Sequence, residues 1–239
     1  MLARFSEALL ILWHHIRLFA AIILTVWLPG NILANYIAYN VKGASDIGVL
    51  KLTMLIEGVF GPIYIGALVF ALFQIKSGRT VTYKAAMTVG LKKWGALFVA
   101  RLMASLYIVL GLIAVVIPGI VLAVRYSLLD AAVIIEDKWP SESRARSTNL
   151  TAGRRWQIFW SGVLVFVTFI ILSLAIYAPL GFIESLNTMI VEVILDCLLD
   201  IAYAVIHIVI FLFYWESIQE EKSAEPATGA TGLPPSVNA

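Results

Sequence analysis

Five side chains near the C-terminal end of the sequence have types and spacing that could do chemistry. Glu192, Asp196 and Asp200 follow one another at i, i+4 and i+8, and Tyr203 and His207 continue the series. At ~100° per residue these positions fall within an arc of about 80°, one stripe along one side of a helix. The stretch that carries them, Thr188 to Trp215, is otherwise apolar and long enough to cross the ~30 Å hydrocarbon layer of a bilayer. A charged side chain at the centre of such a span costs ~2.5–3.5 kcal/mol, so the stripe must face protein or water. Four more ionisable residues, Glu57, Arg101, Arg125 and Asp130, interrupt other apolar runs. Glu57, Asp130, Glu192, Asp196 and Asp200 therefore face only Arg101 and Arg125, which leaves three negative charges uncompensated. Such a set must hold protons, admit water or bind a cation. Two roles fit it: a proton or cation pathway with the arginines as counter-ions, or a salt-bridged, partly protonated network that fixes how the spans pack. Counting ~1.5 Å of rise per residue from each span entrance offers Glu57, Glu192 or Asp196 as partners for Arg125, and Asp200 for Arg101.

The elements that position these residues follow from composition. Of 239 residues 61% are apolar and 13% charged, with a mean hydropathy of +0.93. Soluble domains carry about 25% charged residues, so this chain takes the bilayer as its solvent. The single Cys197 excludes a disulfide framework and a CxxC site, and its apolar setting makes it an inert small hydrophobe. A net charge of +2 gives no footprint for nucleic acid. Six spans are expected: Leu18 to Val41, Leu52 to Ile75, Trp94 to Ile117, a short one from Gly119 to Glu136 after a Pro118-Gly119 turn, Ile158 to Ile183, and Thr188 to Trp215. Pro29-Gly30-Asn31 should interrupt the first and Gly61-Pro62 the second, while Asn31 and Asn35 share a face. Gly58, Gly61 and Gly66 should permit close helix approach.

Phe5 to Phe19 reads as an amphipathic helix on the membrane surface, and the chain from Glu216 onward as a solvated, disordered tail. The division is thus 1–17 interfacial helix, 18–215 six-span bundle and 216–239 tail. Of seventeen Lys and Arg, Arg101 and Arg125 lie within spans and only Lys42 and Lys51 lie outside the membrane, if both termini are cytoplasmic. The two long cytoplasmic segments echo each other at an offset of 62: Lys84 with Arg146, Lys92 with Arg154, Lys93 with Arg155 and Trp94 with Trp156. Thr82 and Ser141 should cap short helices along the inner leaflet, presenting cations to anionic headgroups or to a protein partner. The echo suggests a parallel duplication of two hairpins.

The sequence holds no GxSxG, HExxH, GxxxxGK[ST] or GxGxxG pattern, and adjacent His14 and His15 are poor co-ligands, so no catalytic residue, metal or cofactor is expected.

The segment Val116 to Phe159 resembles the YciC-like bacterial inner-membrane proteins and the wider group named after the membrane domain of some glycerophosphoryl diester phosphodiesterases. The resemblance rests on Pro118-Gly119-Ile120, Arg125, Glu136, the segment Ser143 to Thr151, and Trp156. It implies a multi-span cytoplasmic-membrane protein of unassigned role with no catalytic residues; no phosphodiesterase domain lies in this chain. The expectation is an all-α, non-enzymatic bundle with both termini cytoplasmic. Its basic segments would contact lipid, a partner or a second copy, and its buried charges would hold the helices together. The alternative is a small transporter or channel working through the acidic stripe.

Overall fold

A computed structural model describes residues 2–41, 45–183 and 188–224, which form nine helices and no strand: α1 (Leu2–His14), α2 (Ile16–Asn40), α3 (Asp46–Lys76), α4 (Tyr83–Ala114), α5 (Val116–Arg125), α6 (Leu129–Ile135), α7 (Pro140–Leu150), α8 (Arg155–Phe182) and α9 (Met189–Ala224). The fold is all-α. Six segments are long and apolar enough to cross a membrane: α2, α3, α4, α5 with α6, α8 and α9. Lys42 and the chain beyond Ala224 lie outside the described residues.

Local chemistry sets the helix ends. Ser45 and Thr82 cap α3 and α4, their hydroxyls accepting from the amides of Gly48 (3.1 Å) and Ala85 (3.3 Å). At the end of α3, Gly78 turns left-handed (φ 71°), its amide donates to Ile75 and that of Arg79 to Gln74, closing a Schellman motif. α3 and α4 pack most extensively, with Gly90 against the α3 backbone; a Cβ there would stand 2.3 Å from the Ile63 carbonyl. α4 and α5 cross at Gly111 and Gly119 around an extended Val115. The most deeply buried side chains include Phe19, Ile22, Leu68, Leu72, Phe211, Phe213 and Tyr214, and α8 is mostly exposed. Arg4 of α1 pairs with Glu216 of α9 at 2.8 Å, and Glu7 with Lys76 at 2.8 Å, so the two ends of the described chain share one end of the bundle.

Several expectations need correction. Pro29 and Pro62 do not break their helices; α2 and α3 run through them, since a proline removes one amide bond that neighbouring helices in a bundle can offset. The fourth span is two helices, because the chain turns at Tyr126–Leu128. Pro118 and Gly119 sit inside α5 rather than in the turn before it. Ser141 is not a cap: α7 starts with Pro140 at its first position, where the missing N–H is harmless, behind Trp139. Of Gly58, Gly61 and Gly66 only Gly66 approaches another helix, at Gly90. The N-terminal amphipathic segment is divided at His15, and Ile16–Phe19 belong to α2. Residues 216–224, assigned to the tail, continue α9 because Glu216, Glu220 and Glu221 find arginines on α1, α7 and the α7–α8 turn. The echo has no structural counterpart: Lys92, Lys93 and Trp94 lie within one continuous α4, whereas Arg154 to Trp156 lie at the start of α8 beside the left-handed Gly153 (φ 79°).

Candidate functional site

The ionisable residues of the spans separate into two systems. The first is the upper part of the α9 stripe, which meets α2 rung by rung. Asn31 and Asn35 donate from their side-chain amides to Asp200 and Asp196, each at 2.7 Å, and the Tyr39 hydroxyl bonds Glu192. Residues 31, 35 and 39 and residues 200, 196 and 192 are matching i, i+4, i+8 series on antiparallel helices, which is why one register satisfies all three rungs. Tyr177 of α8 donates to the other oxygen of Asp196. Asn31 also approaches the Cys197 sulfur at 3.7 Å, so that thiol borders the ladder. Neutral donors satisfy these acids, where the sequence suggested arginines.

The second system lines a cavity of about 560 Å³ between α3, α4, the α5–α6 break and α9, on which Glu57, Arg101, Asp130, Tyr203 and His207 converge. Arg101 pairs with Asp130 at 3.1 Å, not with Asp200 as depth alone suggested. The register explains the exchange: Asp130 lies eleven residues after Gly119 and Arg101 ten before Gly111, the two points where the hairpin crosses. Glu57 is on the exposed side of α3 and is coupled electrostatically to Arg101 and Tyr203; among the described residues it makes no ion pair. His207 Nε2 lies 3.2 Å from the hydroxyl of Tyr64, which is 3% exposed, and the His207 ring is met edge-on by Tyr64 and Tyr203. Met54, Phe98, Leu102 and Ile206 supply apolar wall. The result is a half-open, largely apolar pocket with two carboxylates, one guanidinium, an imidazole and the phenols of Tyr126 and Tyr203, able to bind a small polar solute or pass protons between titratable groups.

Arg125 joins neither system. Its Nε is buried with no hydrogen-bond partner; α5, which it ends, packs chiefly against α4 rather than against α3 or α9. The break after it is held by Ser147, which donates to the Arg125 carbonyl (2.7 Å) and accepts from the Leu128 amide (3.1 Å). A polar helix was therefore brought inside to serve a broken span: Ser143, Ser147 and Thr151 are fully buried.

Several residues expected to face headgroups are engaged within the molecule. Arg146 binds Glu136 (2.8 and 2.9 Å) and Glu221 (2.5 and 2.7 Å), and Tyr214 donates to Glu136 at 3.1 Å. The bonds to Glu221, then those to Glu136, raise the Arg146 pKa above its ordinary value. Arg154 bonds Glu220, and Lys93 bonds Asp137, which lowers the Asp137 pKa. The Trp94 indole donates to the Val59 carbonyl at 2.6 Å, whereas Trp156 is 74% exposed. Lys84 and Lys92 are exposed and have no ion pair among the described residues.

Sequence reasoning missed the two rows of partners. The shared face of Asn31 and Asn35 was a signal for the ladder; nothing local marked Ser147 or Tyr64. Among the described residues no group of three or more His, Cys, Asp or Glu is placed to hold a metal ion. Compared with models of protein families, with curated proteins and with solved structures, the chain matches none.

Proposed function

We propose that this is a non-enzymatic, multi-pass protein of a bacterial cytoplasmic membrane that carries a small cationic solute or protons through the α3–α4–α6–α9 cavity. One observation carries the reading: Glu57, Arg101, Asp130, Tyr203 and His207, from four separate helices, converge on one chamber within the spanning helices. Two carboxylates against one guanidinium give the chamber a formal charge of −1, which favours a cation or an exchangeable proton. The excess of Lys and Arg in the segments on the side of the termini supports a cytoplasmic assignment for that end. The α9 acids above the chamber, satisfied by neutral donors, then act as packing. Exposed Lys84, Lys92 and Trp156 remain the residues for headgroup or partner contact.

The test is proton and monovalent-cation flux in proteoliposomes of the full chain, with melting recorded in parallel. Glu57→Gln and Asp130→Asn should lose flux while Asp196→Asn, which alters the ladder, keeps it. Absence of wild-type flux under both proton and cation gradients, or equal flux in Glu57→Gln, would overturn the proposal.

A further inference from the structure

We propose that Arg125 and Arg144 form a binding site for a phosphate-bearing anion at the α5–α6 break, separate from the cavity. Arg125 Nε and one terminal nitrogen of Arg144 are buried and without a hydrogen-bond partner. Buried donors are almost always satisfied, and leaving one unpaired costs ~1–3 kcal/mol, more for a charged group. Arginine stays charged in proteins, so deprotonation offers no escape.

Two contacts and one register relation place the two side chains at the same part of the fold. Arg144 lies one helical turn before Ser147, whose hydroxyl holds the Arg125 carbonyl at 2.7 Å. The Arg144 guanidinium rests on the Tyr107 ring, 4.8 Å from its centroid, which fixes the plane of its fork. Tyr107 lies four residues before Gly111 and Arg125 six after Gly119, so at ~1.5 Å per residue both sit within about 3 Å of one level of the α4–α5 hairpin. Among the described residues no carboxylate is paired with either arginine: Asp130 is paired with Arg101, and Glu136 with Arg146. Two guanidinium groups with free N–H donors match the several oxygens of a phosphate. The surrounding surface is apolar and open, with Leu106 55%, Tyr107 46% and Val121 41% exposed, so the anion can come from an anionic phospholipid headgroup or from free phosphate.

The test uses the full chain in detergent micelles. Phosphatidylglycerol and phosphate-free diacylglycerol are titrated by native mass spectrometry, and inorganic phosphate by thermal shift. Wild type should bind phosphatidylglycerol or inorganic phosphate and not diacylglycerol. Binding should weaken at least tenfold in Arg125→Gln and Arg144→Gln and persist in Lys51→Gln, which removes an exposed charge far from the break. Whichever of the two probes behaves this way identifies the source of the anion. Binding of neither probe, or an equal loss in Lys51→Gln, would overturn the site. Should a glutamine variant fail to fold, Arg144→Lys keeps the charge and loses the planar fork, and undiminished binding in it would also overturn the proposal.

Discussion

Ser147→Ala should be far more costly than Ser143→Ala, although both serines are fully buried on the same face of α7, one turn apart. The Ser147 hydroxyl bridges two backbone groups of a broken span, at 2.7 Å to the Arg125 carbonyl and 3.1 Å to the Leu128 amide. Alanine removes both bonds and admits no other partner at a buried site, leaving one donor and one acceptor orphaned. At ~1–3 kcal/mol for each unsatisfied group the loss is about 2–4 kcal/mol, allowing for partial relaxation. Ser143 donates only to the Pro140 carbonyl at 3.0 Å, inside its own helix, so its replacement should cost about 1 kcal/mol. The pair is compared by equilibrium unfolding in mixed micelles followed by helical circular dichroism. Equal costs would refute the claim that Ser147 stands in for the missing helix bonds. The site should respond too: α6 carries Asp130, so loosening the break displaces it from Arg101, and Ser147→Ala should reduce flux before it abolishes folding.

Two further outcomes follow from close packing and from charge. Gly90→Ala forces a Cβ to 2.3 Å from the Ile63 carbonyl and should cost ~1–3 kcal/mol or more, whereas Gly95→Ala meets nothing within 4 Å and should be neutral or gain ~0.5–1 kcal/mol; the same unfolding assay distinguishes them. The lowered pKa of Asp137 means that its link to Lys93 contributes fully above the ordinary value of 3.8 and is lost as pH falls below it through the lowered one. Asp137→Asn, which tolerates the left-handed backbone there (φ 54°), should therefore differ from wild type at neutral pH and converge with it in acid; a difference that does not shrink as the pH is taken below 3.8 would refute the assignment.

Hydropathy made the spans legible because a membrane helix must keep its backbone bonds internal and its side chains apolar, a condition each segment meets alone. Composition, the existence of six spans and the α9 stripe were thus readable without a fold, as was the Thr82 cap, whose partner lies three residues away. The division of the α4–α5 region was less legible, since a turn inside an apolar run leaves little trace in hydropathy. Which charges meet was not legible at all. Arg101 chose Asp130 over Asp200 because the Gly111–Gly119 crossing sets the register of one hairpin against itself, and Asp200 found Asn31 because α2 lies beside α9. Helix depth is a one-dimensional quantity that sequence supplies. Helix rotation and neighbour choice are collective, fixed only when all faces are buried together, and they alone decided that four of the eight ionisable span residues share a chamber, three are matched to neutral donors, and Arg125 is left with its charge unanswered.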